Sequence, residues 1–288
     1  MIVPSPVGRC QGSPAPAAAF ASSWGPFGAD PAALDVWLLP PPESARDVPD
    51  RELDAYERQR AASFRHPVDR RMYLAAHVGL RRVLALYTGI EPAGLVLGGE
   101  HHRGDGRRYG RPRVLRVPGA PQFSLSHSHG LALAAVARAR VGADVQRIPT
   151  AATVEACLPA LHPAEREEFL SLPDHARAAA FGRLWTRKEA YLKGLGTGLT
   201  RAPALDYLGE AEPARRPAGW LVGNVPLCVG HVGAVALLGT GDWQVAMRSV
   251  PAAHLYAVDA VSAVRAIGGI EPGFRTVLRD PAPGSAGR

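Results

Sequence analysis

Apolar and polar positions alternate with two different periods along the chain. The run Leu34-Asp35-Val36-Trp37-Leu38-Leu39, closed by three prolines, predicts a first strand. A helix follows through Leu53, Tyr56 and Arg60 to Phe64. From Asp69, an N-cap candidate, Met72, Ala76, Leu80, Val83 and Tyr87 form one apolar stripe at helical spacing, which stops at Gly89. Arg70, Arg71, Arg81 and Arg82 lie around that stripe, where a solvated helix face is the default reading. Gly98 to Arg116 reads as a hairpin or mobile loop containing Tyr109-Gly110-Arg111-Pro112. Gln122 to Leu125 and Leu131 to Val136 then flank a polar break, Ser126-His127-Ser128-His129-Gly130, and Val141 to Val145 follows at once. Strand, turn, strand, strand is the economical reading.

After Pro149 the period becomes helical, through Val154 to Leu161 and Pro163 to Leu172. A long helix spans about Asp174 to Leu195, and the run Gly194-Leu-Gly-Thr-Gly198 ends it. Gly219 to Val225, His231 to Leu238 and Trp243 to Val250 are strand-like; Val258 to Ile267 reads as a helix, and the Pro/Gly-rich end as frayed. Residues 1 to about 33, rich in Pro, Ala, Gly and Ser without period, read as a disordered leader. Strands and helices are partly segregated, which favours α+β over a doubly wound sheet. A break near residue 140 divides the chain into an N-terminal half, 34–140, and a C-terminal half, 141–251, with a partly disordered extension at 252–288.

Composition narrows the class. With 288 residues, 47% apolar and 20% charged, the chain can bury a real core, and its ordered part reads as neither a disordered nor a membrane protein. No apolar run approaches the ~20 residues that span a bilayer, and prolines interrupt any secretory signal. Cys10, Cys157 and Cys228 are far apart and form no metal or disulfide framework, which fits a cytoplasmic location. A formal charge of +7 points to anionic partners: nucleic acid, phosphorylated small molecules or an acidic protein.

The chain's only two lysines, Lys188 and Lys193, fall in L-W-T-R-K-E-A-Y-L-K, residues 184–193. In a chain that otherwise uses arginine, this suggests sites that need a compact cation able to release its proton; chance clustering is the competing account. On a helix, Trp185, Glu189 and Lys193 share one face. An exposed Glu–Lys pair, worth a few tenths of a kcal/mol, is the bland alternative. Asp144 sits in apolar surroundings, where a free carboxylate is costly and a cation is expected; an arginine salt bridge remains an equal alternative.

Together, S-H-S at 126–128, V-G-A-D-V-Q at 141–146 and W-T-R-K-E-A-Y-L-K at 185–193 resemble the phosphopantetheinyl transferases of the larger, surfactin-synthetase-activating (Sfp) type, over about residues 34–250. The resemblance implies a pseudo-twofold pair of α+β halves in one chain, with the active site in the cleft between them. It implies transfer of the 4′-phosphopantetheine arm of coenzyme A to a serine of an apo acyl or peptidyl carrier protein, with Mg²⁺, releasing adenosine 3′,5′-bisphosphate. Asp144 and Glu189 match the metal carboxylates, and Gln146 stands where many members have a third acidic ligand. Glu189 is the candidate acceptor of the serine proton. Lys193 would stabilise the departing phosphate and Lys188 would hold the pyrophosphate. Ser126 and His127 would lie near the nucleotide, with His127 and Arg60 on its 3′-phosphate and Arg111 replacing a frequent lysine. Met72 replaces an arginine directed toward coenzyme A, so Arg71 or Arg70 would substitute. Glu57 stands where another basic phosphate contact is common.

Two rivals stand beside this reading. A nucleic-acid-binding module predicts arginines interleaved with aromatics, yet aromatics are only 7% and do not cluster with arginine. Another metal-dependent phosphoryl-transfer enzyme, such as a phosphodiesterase, predicts a denser set of carboxylates or histidines. The expected protein is a monomer without nucleic acid or membrane partners.

Overall fold

The computed structural model describes residues 32–41, 48–102 and 108–279; the expected leader lies outside them. Among the described residues ten strands form two sheets. They are β1 (Ala33–Leu39), β2 (Leu97–His102), β3 (Arg108–Val114), β4 (Gln122–Ser128), β5 (Leu131–Ala137), β6 (Val141–Arg147), β7 (Trp220–Val225), β8 (His231–Leu238), β9 (Trp243–Ser249) and β10 (Phe274–Leu278). The larger sheet has the order β10-β9-β1-β5-β4-β3-β2 and the smaller β6-β8-β7. Neighbours are antiparallel except β1 and β9. Seven helices accompany them: α1 (Ala55–Ala62), α2 (Pro67–Thr88), α3 (Ala151–Cys157), α4 (Pro163–Leu170), α5 (Asp174–Leu195), α6 (Ala252–Leu255) and α7 (Ala260–Gly268). The expected α+β class is what the protein has.

Strand alternation builds four layers. On β1 and β5, Trp37, Leu39, Ala132, Ala134 and Val136 face α2, while Leu34, Val36, Leu133 and Ala135 face the smaller sheet. On β6 and β8, Val141, Ala143, Val145, Val235 and Leu237 close that inter-sheet core. The opposite face of β8, Ala234 and Ala236, packs under α5. The order is therefore helix, sheet, sheet, helix, and each sheet carries a helix of 22 residues.

The sheet-to-sheet joint rests on three serines spaced two apart on β4. Ser124 Oγ accepts from Ala143 N (3.0 Å), Ser128 Oγ accepts from Arg147 N (3.2 Å), and Ser126 Oγ donates to Asp144 Oδ1 (2.7 Å). β6 is an edge strand of its sheet, and the Ser124 and Ser128 hydroxyls satisfy backbone donors that would otherwise be unpaired.

Several expectations change. Ser126 and His127 lie on β4, not in a loop; the turn is only His129-Gly130, both at positive φ (41° and 84°), as a two-residue hairpin requires. α2 starts at Pro67 rather than after Asp69, because proline suits the first helical position. Arg81 and Arg82 are not solvated: both are 0% exposed. Arg81 pairs with Glu57 and Asp54, and Arg82 with Glu52 and the Leu255 carbonyl. The chain does not divide in sequence order at residue 140, because β9 returns to pair with β1. Nor is the stretch after 252 a mere extension. Leu255, Val264 and Ile267 enter the core against α2, and β10 forms the sheet edge.

Candidate active site

Glycine brings α5 onto β6. A Cβ on Gly142 would lie 1.8 Å from the Ala190 carbonyl oxygen and 2.4 Å from Gly194 N, and one on Gly194 would meet Trp220 at 2.6 Å. The backbones can touch only because both positions lack a side chain. This contact sets the helical turn bearing Glu189 and Lys193 over Asp144, which projects from β6 on the same face as Gly142. α5 then ends at Gly196 in the left-handed conformation (φ 83°).

The polar cluster that results is tight. Lys193 Nζ lies 2.6 Å from Asp144 Oδ1 and 2.9 Å from Ser126 Oγ, and Gln146 Nε2 donates to Asp144 Oδ2 at 3.3 Å. Asp144 is 1% exposed, whereas Trp185, Glu189 and Lys193 are half-buried along one side of α5. Burial, and then the charge of Asp144, push the Glu189 carboxyl above its ordinary range, with Lys193 opposing. Lys193 and His127 also line a cavity of about 360 Å³ whose walls include Tyr56, Glu57, His77, Arg111 and Phe123. A charged cluster thus opens onto a partly apolar cavity large enough for part of a nucleotide.

Residues 140–219 match the family model of the 4′-phosphopantetheinyl transferase superfamily. The chain is similar to the 4′-phosphopantetheinyl transferase HetI of Nostoc sp., with 36% identity across 73% of this chain and 90% of that protein. It is also similar to a phosphopantetheinyl transferase of Thraustochytrium sp. (30% identity; 64% of this chain, 68% of that one). For a 4′-phosphopantetheinyl transferase of Bacillus subtilis the identity is 25%, over 51% and 62%. The chain belongs to the 4′-phosphopantetheinyl transferases.

In this transferase the sequence-derived residues divide into three groups. Asp144, Gln146, Ser126, Glu189 and Lys193 converge, and His127 stands on the adjoining cavity wall. Arg111 also lines the cavity, but its guanidinium is held by Glu100 (3.0 and 3.2 Å) and Gln122 (3.0 Å). Arg60 is exposed at the end of α1, over the Phe64 ring and bonded to Ser63 Oγ, and neither it nor half-buried Arg71 is part of the cavity wall. Met72 is buried in the core beneath, and Arg70 is exposed.

Lys188 needs correction. It is 1% exposed on the opposite side of α5, and its ammonium meets Glu165 Oε2 (2.7 Å) and the carbonyls of Pro203 (2.9 Å) and Asp206 (2.8 Å). An ammonium has three donors, so none remains for a pyrophosphate.

The donor set suits a hard divalent cation. Among the described residues no group of three or more His, Cys, Asp or Glu is placed to hold a metal ion by itself. Mg²⁺, however, needs only one or two protein carboxylates beside phosphate and water oxygens, and the Glu189 carboxyl, raised by burial and by the charge of Asp144 beside it, favours a shared cation. Gln146 turns its NH₂ toward Asp144, so in this arrangement it orients that carboxylate.

Sequence reasoning missed His77, Tyr73 and the burial of Glu57. His77 stacks on Tyr73 (centroids 4.0 Å), and Tyr73 meets His127 edge-on at 6.5 Å. The available signal was helical spacing: Tyr73 and His77 are four apart, beside the apolar stripe of α2.

Proposed function

We propose that this transferase moves the 4′-phosphopantetheine arm of coenzyme A to a serine of an apo acyl or peptidyl carrier protein, using Mg²⁺, and releases adenosine 3′,5′-bisphosphate. The reading is carried by the convergence of Asp144, Ser126 and Lys193 beside Glu189 at the edge of the His127 cavity. Asp144 and Glu189 would hold the Mg²⁺, which when bound offsets the negative charge of the pyrophosphate. Glu189, with its raised pKa, accepts the proton of the attacking serine as its oxygen bonds to the β-phosphorus. Lys193 stabilises the phosphate oxygen released when the P–O bond to the nucleotide breaks. Ser126 and Gln146 fix Asp144, and His127 meets the nucleotide's 3′-phosphate.

Two related α+β halves, each a sheet beneath a 22-residue helix, frame this cleft by pseudo-twofold arrangement. The protein acts as a cytoplasmic monomer whose basic character serves phosphate groups rather than nucleic acid; no helix among the described residues is long and apolar enough to cross a membrane. The test is incubation with coenzyme A, Mg²⁺ and a panel of apo acyl and peptidyl carrier proteins, followed by intact mass. Gain of the arm's mass on an acceptor serine is expected. No gain on any acceptor, with the protein folded, would sink the reading.

A further inference from the structure

We propose that His77 is a second imidazole, beside His127, that holds the 3′-phosphate of coenzyme A. The inference rests on the proposed function and assigns a residue of the same cavity that lies outside the motifs.

His77 lies on the cavity wall with its side chain 22% exposed. Its Nδ1 is 3.1 Å from Glu57 Oε1. Glu57 is 1% exposed and its other oxygen accepts Arg81 at 2.7–2.8 Å. Burial would raise the Glu57 pKa, but the hydrogen bonds from His77 and Arg81 outweigh it and hold the group at about 2. The carboxylate is therefore ionised at any working pH and fixes Nδ1 as a donor, since the bond at one ring nitrogen sets the state of the other. Tyr73, stacked on the ring, fixes its plane. Among the described residues Nε2 has no protein partner, and it is not a buried orphan, so it is open to a ligand.

The competing cations on and behind this wall are already matched. Arg81 is neutralised by Glu57 and Asp54, and Arg111 by Glu100. Lys193 sits at the other end, on Asp144. His77 stands close enough to His127 for its charge to count there: after burial, the charge of His77 and then that of Lys193 lower the His127 pKa, with Asp69 opposing. Two like groups that repel one another, each with a ring nitrogen to spare, form a site that an anion relieves. Coenzyme A carries two anionic groups separated by a ribose. With the pyrophosphate at the Lys193 end, its 3′-phosphate falls to the imidazole end. A phosphate there meets the imidazole edge, while the Glu57 carboxylate on the same wall has both oxygens engaged, one by the ring and the other by Arg81.

The test is calorimetric titration of the intact protein with coenzyme A and with dephospho-coenzyme A, on the parent, His77→Gln, His77→Ala and His127→Gln, with melts to verify folding. The parent is expected to prefer coenzyme A. Both His77 variants should bind coenzyme A roughly 10-fold or more weakly, the loss of one charge-assisted hydrogen bond, with dephospho-coenzyme A unaffected. If the parent shows the preference, His127→Gln loses it and folded His77 variants keep it in full, the role of His77 is wrong while the functional reading stands. If the parent binds both ligands alike, the reading of this cavity as the 3′-phosphate site fails, and this inference with it.

Discussion

Lys188 Nζ lies 2.7 Å from Glu165 Oε2, with side chains 2% and 0% exposed. Glu165 also accepts from the backbone N–H groups of His162 (2.9 Å) and Leu208 (2.6 Å), so the pair ties α4, α5 and the 203–208 segment together. Burial lowers the Lys188 pKa, and Glu165 opposes. Removing one partner of such a pair strands a charge. Lys188→Met is expected to destabilise by about 3–5 kcal/mol in urea titration, with coenzyme A affinity retained by the folded protein. Unchanged stability with lost affinity would return Lys188 to the ligand.

Asp144→Asn and Glu189→Gln should each reduce carrier modification by about 10² or more while the protein still melts cooperatively. The measurement is holo-carrier formation by mass against Mg²⁺ concentration. Near-normal turnover in either variant would exclude it as a metal ligand.

Lys193→Arg preserves charge but not shape. The ammonium fits between Asp144 Oδ1 (2.6 Å) and Ser126 Oγ (2.9 Å), and a broader guanidinium cannot take that position and still reach a departing phosphate. Turnover is expected to drop by about 10², with little change in melting temperature, Lys193 being half-buried. An arginine variant as active as the parent would mean that charge alone matters there.

Gly142→Ala should be costly, because its Cβ would fall 1.8 Å from a backbone oxygen of α5, which cannot rotate away. Overpacking of this kind costs about 3 kcal/mol. Displacement of the Glu189 turn should also reduce activity per folded molecule. Denaturation and activity assays on the same preparation separate the two effects; parent-like stability would show that α5 can lift off β6 freely.

Acid should weaken the α1–α2 joint through Glu57. Its folded pKa, about 2, lies below the ordinary 4.5, so its stabilisation is complete above pH ~4.5 and is lost as pH falls toward ~2. The shift corresponds to on the order of 3 kcal/mol. Stability measured across that range should fall less steeply in Glu57→Gln, which starts lower. Parallel curves would place the acid sensitivity elsewhere.

The order and type of most elements were legible in the sequence, because period two and period 3.6 are local consequences of which face is buried. The bounds of α5, Asp174 to Leu195, and of β8, His231 to Leu238, were read directly from spacing and glycine. Helical geometry also fixed that Trp185, Glu189 and Lys193 share a side, while Lys188, five residues before Lys193, is turned about 140° away. What each side met could be decided only by tertiary structure. β9 pairs with β1 across some two hundred residues, and no local pattern encodes a partner strand. Arginines at 81 and 82 looked solvated until Glu57 and Glu52 arrived from another segment to neutralise them. The two lysines carry the same charge and lie in the same motif, but the packing of α4 buries one against Glu165 while the glycine contact with β6 delivers the other to Asp144.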